Sequence, residues 1–317
     1  MTEPYVRPDV RAFLDMLAAN PRPVFTDELM AMIRQMPPEM MATMDRPVGE
    51  MATIRDVAMP GPGGEIALRL FDPRVTREPG PVVVFCHGGG FVVGSIDTHA
   101  GFAAEIARSL DLPVISVEYR LAPEHRWPAA PDDAEAAARW IADHGAVFER
   151  QFTSLILCGD SAGANLSVIT ALALRDKPTA LPVLMQFPIY PKMDSTRAYP
   201  SHQEFADGYG LESANLSYFT SAYASDAHNW RGSPLLADQA GLPPTFVVTA
   251  GLDPLRDEGR AYAAATIAAG VQTTYREIVG TIHGFASYRA MIPSAHEDLL
   301  SVLAIAKAMI AEALAAG

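Results

Sequence analysis

Residues 155–174 read LILCGDSAGANLSVITALAL. The run opens with strand character, closes as a helix-like segment, and compresses Gly159, Asp160, Ser161, Ala162 and Gly163 between the two. A chain that turns from strand to helix over one residue holds that residue in a sparsely populated backbone conformation, and only small residues two before and two after it avoid collision. Gly159 and Gly163 stand at those two places. Such a turn lifts the Ser161 hydroxyl clear of a sheet, where the amides and positive dipole end of the following helix face the same space. Gly-x-Ser-x-Gly alone is a weak motif that also fits an ordinary glycine-rich turn. The flanking strand and helix make a nucleophile the better reading.

Outward from this stretch the chain alternates. Apolar extended runs fall near 53–59, 65–71, 81–86, 113–118, 154–158, 182–187, 245–250 and 272–278. Helix-like segments fall near 98–110, 131–144, 162–176, 258–269 and 296–314. Continuous apolar strands alternating with helices predict an α/β fold, a mostly parallel eight-stranded sheet covered by helices on both faces. Two stretches stand apart. Residues 1–48 carry helical spacing (Val10, Phe13, Leu14, Leu17, then Leu29, Met30, Ile33, Met36) broken by prolines, and residues 190–232 are rich in aromatics between the sixth and seventh strands. The second is expected to pack over the carboxyl ends of the strands, where open α/β sheets bind ligands. Residues 49–189 and 233–317 then form the two parts of the core.

A serine hydroxyl needs a base, and the base needs a partner that fixes its tautomer. Of eight histidines, His283 in GTIHGF follows directly on the last apolar run, which delivers it to the same sheet edge as Ser161. His99, His125, His144, His202, His228 and His296 are read as surface or packing residues. Asp253, immediately after the seventh strand in TFVVTAGLDPLRDEG, is the expected orienting acid; Asp257, one turn on, is expected to cap the next helix. The second cluster is FCHGGGFVVGS. Consecutive glycines let backbone amides approach an oxyanion, so Gly88 and Gly89, with the amide of Ala162, are the candidate donors. His87 is read as supporting that loop and Asp160 as bonding loop amides beside the nucleophile. The stretch lacks the Gly-Lys-Ser/Thr of a phosphate loop and the spaced glycines of a dinucleotide site.

HGGGFVVGS, YRLAPEHRWPAAPDDA, CGDSAGANL, GLDPLRDEG and HGF together resemble the hormone-sensitive-lipase-like family of α/β-hydrolases (bacterial family IV). The resemblance implies a carboxylesterase acting on short- to medium-chain acyl esters, with Ser161, Asp253 and His283 as a triad, oxyanion donors at Gly88, Gly89 and Ala162, a helical cap in which residues 1–48 join 190–232, and no metal or organic cofactor. It also implies that edge strands and C-terminal helices can pair into a homodimer. Two alternatives use the same pocket: an amidase or deacetylase on small acylated molecules, and a non-catalytic small-molecule receptor. The intact serine, acid and histidine favour the enzyme.

Of the 317 residues 49% are hydrophobic and 19% charged, enough for a sizeable core, and the formal charge of −13 argues against nucleic acid and anionic membranes. The start MTEPYVRPDV shows no long apolar stretch, and the apolar C-terminal LLSVLAIAKAMIAEALAAG is interrupted by Lys307 and Glu312. A buried terminal helix, no membrane insertion and a cytoplasmic location are therefore expected. Two cysteines, Cys86 and Cys158, are expected to lie close together as free thiols. Methionines 30, 32, 36, 40, 41 and 44, with the aromatic insertion, suggest an adaptable apolar pocket.

Overall fold

In the strand Gly80–Cys86 every residue after Gly80 is buried, because its side chains alternate between two cores. Val83 and Phe85 pack into one apolar cluster, Val82, Val84 and Cys86 into the other. Leu155, Leu157 and Ile156, Cys158 divide in the same way. A strand buried on both faces belongs in the middle of a sheet covered on both sides. The computed structural model, which describes residues 3–21, 23–37, 40 and 42–316, places both strands there. Eight strands, β1 (Thr53–Gly61), β2 (Gly64–Asp72), β3 (Gly80–Cys86), β4 (Val114–Val117), β5 (Phe152–Asp160), β6 (Val183–Ile189), β7 (Thr245–Leu252) and β8 (Thr273–Ile282), form one sheet in the order β1-β2-β4-β3-β5-β6-β7-β8. β2 runs antiparallel to both β1 and β4; every other pairing is parallel. This is the α/β-hydrolase arrangement.

The helices are α1 (Pro8–Ala19), α2 (Asp27–Gln35), α3 (Ala100–Leu110), α4 (Ala129–Asp143), α5 (Ala162–Asp176), α6 (Pro200–Glu204), α7 (Ser213–Tyr223), α8 (Arg256–Ala268) and α9 (Pro293–Ala316). α5 is buried all round from Ala162 to Leu174, as its nearly uncharged sequence requires. α9 buries Leu299, Val302, Leu303, Ala306, Met309 and Ile310 in the core. By length and a mean hydropathy of 1.9 it is apolar enough to cross a membrane, and 33% of its most apolar window is buried. The terminal helix is thus buried along one stripe only; Lys307 on its outer side donates to the Ser109 carbonyl. Cys86 and Cys158 sit on adjacent strands but on opposite faces of the sheet, both buried and unbridged. Side-chain alternation separates what strand adjacency brings together.

The N-terminal segment and the insertion between β6 and β7 together roof the carboxyl edge of the sheet. Phe25, just before α2, packs on Phe219 of α7 with ring centroids 5.4 Å apart, and Tyr218 donates to Asp27 at 2.9 Å. Arg34 of α2 reaches the core: its Nε donates to the Val92 carbonyl at 2.8 Å, its Nη2 to the Ala122 carbonyl, and it pairs with Glu124. The methionines contribute less to the pocket than the sequence suggests. Met30 is buried in the core, Met32 and Met40 are exposed, and Met44 lines the cavity; Met41 lies outside the described residues.

Candidate active site

β5 ends at Asp160 and α5 begins at Ala162, so the whole reversal falls on Ser161, whose φ of 54° and ψ of −114° lie where side-chain-bearing residues are rarely found. The close packing around it explains both glycines. A Cβ on Gly163 would lie 1.9 Å from the Cys86 carbonyl oxygen, and one on Gly159 2.3 Å from the Gly163 oxygen. The Ser161 amide donates to Ile189 at 2.9 Å, which ties the turn to β6.

His283 is the first residue after β8, and its Nε2 lies 2.9 Å from Ser161 Oγ. Its Nδ1 lies 2.7 Å from Asp253 Oδ2, and Asp253, fully buried at the end of β7, accepts the Leu255 amide at 2.7 Å on its other oxygen. With Asp253 accepting from Nδ1–H, Nε2 is left as acceptor for the serine proton. Three side chains distant in sequence thus converge. Tyr190 packs against the imidazole at 4.8 Å.

The glycine loop differs from its expected use at one residue. Gly88 donates its amide to Asp160 Oδ1 at 2.7 Å, so that donor is already committed. The amides of Gly89 and Gly90 have no acceptor among the described residues, and both glycines line the cavity with Ser161 and Ala162. As the first residue of α5, Ala162 has an amide with no intrahelical acceptor. The free donors are therefore Gly89, Gly90 and Ala162, with Gly88 replaced by Gly90. Gly90 escaped the sequence reading because three adjacent glycines look alike until the acceptor 72 residues away is placed. Gly89 (φ 119°) and Gly90 (φ 62°) both need glycine's freedom, and the Phe219 ring sits directly on Gly90.

Asp160 anchors this loop. Burial pushes its carboxyl up to about 6, against the opposing pull of the Gly88 amide and of the Tyr190 hydroxyl, which donates at 3.3 Å. His87 Nδ1 donates to the Gly88 carbonyl at 2.8 Å, its ring stacks on Tyr119, and the Tyr119 hydroxyl donates to the His87 carbonyl at 2.7 Å. Burial pushes His87 down to about 3 and His99 to about 4, so both are neutral. Neutrality makes the 3.8 Å approach of His99 to Asp160 a packing contact rather than an ion pair. His99 nevertheless lines the cavity, and His202 bonds buried Glu258 at 2.9 Å, so neither is a surface residue. Asp257 does not cap α8. It accepts the Ser201 amide at 3.0 Å and pairs with Arg256 and Arg260, fastening the insertion to the core.

The cavity above Ser161 holds about 430 Å³, within the ordinary range for small-molecule sites, and Phe25, Phe91, Phe219 and Tyr223 supply an aromatic wall. A serine activated by a histidine and faced by unengaged amides defines the serine-hydrolase class within this fold. Residues 83–287 match the family model described as the alpha/beta hydrolase fold. The chain is 37% identical to the esterase LipI of Mycobacterium tuberculosis over 80% of its length and 81% of the relative's. It is 35% identical to the carboxylesterase NlhH of the same organism, over 94% and 95%. Among solved structures, an alpha/beta hydrolase from the metagenome of Lake Arreo superposes with a TM-score of 0.88 at 37% identity, covering 97% of this chain and 98% of that one. A hyperthermophilic esterase from Pyrobaculum calidifontis gives 0.87 at 34%, covering 96% and 99%. The chain belongs to the α/β-hydrolase family, among its hormone-sensitive-lipase-like carboxylic ester hydrolases.

Proposed function

We propose that the chain hydrolyses short- to medium-chain carboxylic esters of small molecules through an acyl-enzyme on Ser161. Ser161 Oγ attacks the ester carbonyl carbon while Nε2 of His283 takes its proton, and Asp253 holds the imidazole in the tautomer that can do so. The carbonyl oxygen, now negative, is held by the amides of Gly89, Gly90 and Ala162, each such donor being worth about 3 kcal/mol of barrier. Collapse breaks the bond to the alkoxy oxygen, which leaves as alcohol with the proton from Nε2. Water then repeats the sequence on the acyl-enzyme and releases the acid. The observation that carries this reading is the unbroken relay of 2.9 and 2.7 Å, opening on a cavity with three unengaged amides.

The test is turnover of a nitrophenyl ester series by the wild type and Ser161→Ala. The wild type should turn over the shorter esters and take one fluorophosphonate per chain, and the variant should do neither while keeping its fold. Undiminished hydrolysis by folded Ser161→Ala refutes the assignment, and an unreactive wild type refutes the enzyme reading itself.

A further inference from the structure

Residues 42–46 join the N-terminal helices to β1, and they meet the loop that carries His283. The Ala290 amide donates to the Met44 carbonyl at 3.1 Å. One residue on, Arg289 grips Asp45 with a fork: Nε to Oδ1 at 2.6 Å and Nη2 to Oδ2 at 2.7 Å. The Arg289 side chain is 0% exposed and that of Asp45 5%. Glu105 Oε2 lies 3.5 Å from Nη1, and Phe102 stands 6.0 Å from the guanidinium. On its far side the strap is wedged against α3, where a Cβ on Gly101 would lie 2.0 Å from the Arg46 carbonyl oxygen.

A guanidinium stripped of water is costly, and a forked carboxylate offsets that cost only in good geometry; an apolar residue would fill the same space with less penalty. Packing alone therefore does not account for Arg289. Its place in the chain does offer a reason. Arg289 follows His283 by six residues, across the left-handed Gly284 and a 3₁₀ turn at Phe285–Ser287, and Tyr288 beside it packs on Phe13 of α1 at 5.1 Å. β8 fixes one end of the histidine loop, and the strap holds the other. Met44, Asp45, Ser287 and Tyr288 all line the cavity, so strap and loop form one continuous wall.

We propose that the Asp45–Arg289 pair is a positioning device for the reaction: it sets the histidine loop against Ser161, so that the N-terminal segment completes the active site as well as covering it. The proposal rests on the esterase reading above. Asp45 and Arg289 touch no reacting atom; they act through the seat of His283. A displacement of roughly 1 Å at a reacting group costs on the order of a hundredfold in rate, so the effect belongs in kcat.

Asp45→Asn and Arg289→Lys test this, each assayed with a short nitrophenyl ester well below its own melting temperature. The expected result is a fall in kcat of about tenfold to a hundredfold with KM within about threefold of wild type. The rate of fluorophosphonate labelling should fall in parallel, because it needs the same serine–histidine alignment. A role in stability alone would lower the melting temperature and leave both rates unchanged. If either single variant fails to fold, Asp45→Leu/Arg289→Met replaces the pair with apolar groups of similar size, a change that buried pairs often tolerate. Folded variants with wild-type kcat and labelling rates overturn the proposal. Loss of both in wild type and variants alike overturns the esterase reading instead.

Discussion

Replacing Asp160 with Asn isolates the carboxylate that carries the oxyanion loop. Burial pushes that group up to about 6 from 3.8, so folding disfavours its ionised form. Below 3.8 the carboxyl is protonated in both folded and unfolded chains and contributes nothing. As pH rises toward 6 the unfolded chain ionises first, unfolding releases a proton, and wild-type stability declines; above 6 the deficit is constant. A separation of about two pKa units corresponds to on the order of 3 kcal/mol. In a chain of this length, with roughly 2 cal/mol/K of unfolding entropy per residue, that is about 4–5 °C in Tm. Asn cannot ionise, yet its carbonyl oxygen can still accept the Gly88 amide that lies 2.7 Å from Oδ1. The unfolded group is already partly ionised at pH 4, so the Tm of Asp160→Asn minus that of wild type should rise by about 3–4 °C between pH 4 and pH 7, measured by calorimetry in matched buffers. Its kcat should stay within about tenfold of wild type, whereas Asp160→Ala, which leaves Gly88 unpartnered, should lose about a hundredfold. A Tm difference that is flat across that interval, or that shrinks, would mean that Asp160 is not the desolvated anchor described.

Three further changes test the surrounding geometry. Ser161→Gly removes the strain of a side chain at φ 54° and should be about 1 kcal/mol more stable than Ser161→Ala in urea titration, both being inactive. Equal midpoints would show that the elbow stores no strain. Gly163→Ala forces a methyl to within 1.9 Å of the Cys86 carbonyl oxygen and should cost several kcal/mol or prevent folding, seen as loss of soluble chain or of its melting transition. Phe219→Ala uncovers Gly90 and widens the aromatic end of the cavity; the ratio of kcat/KM for octanoate over butyrate esters should rise by roughly tenfold.

What was legible in the sequence is what local stereochemistry dictates. The elbow was readable because a reversal over one residue excludes all but small neighbours, and Gly159 and Gly163 sit at fixed offsets from Ser161. Asp253 and His283 were readable because each comes within a few residues of an extended run, and parallel strands deliver their carboxyl ends to one edge; in the structure β7 and β8 continue to Leu252 and Ile282, directly before them. Gly88 was misassigned for the opposite reason. Its amide is taken by a carboxylate on another strand, and nothing within HGGG marks which glycine faces a partner. Asp257 resembled a helix cap by position, but its acceptor capacity goes to Ser201 and two arginines that only the folded insertion brings near.

The same distinction explains why Asp45 and Arg289 gave no signal at all. Neither falls in a motif, they stand 244 residues apart, and an arginine read alone is by default a solvated side chain. Their pairing exists only because the chain returns its N-terminal segment beneath the loop that follows its last strand. Motif chemistry supplies the reacting groups from the ends of β5, β7 and β8; the residues that hold those groups in register come from elsewhere in the chain, through contacts with no sequence period. Activity should therefore be sensitive to substitutions in the strap at 42–46, although that segment contains no residue of the triad.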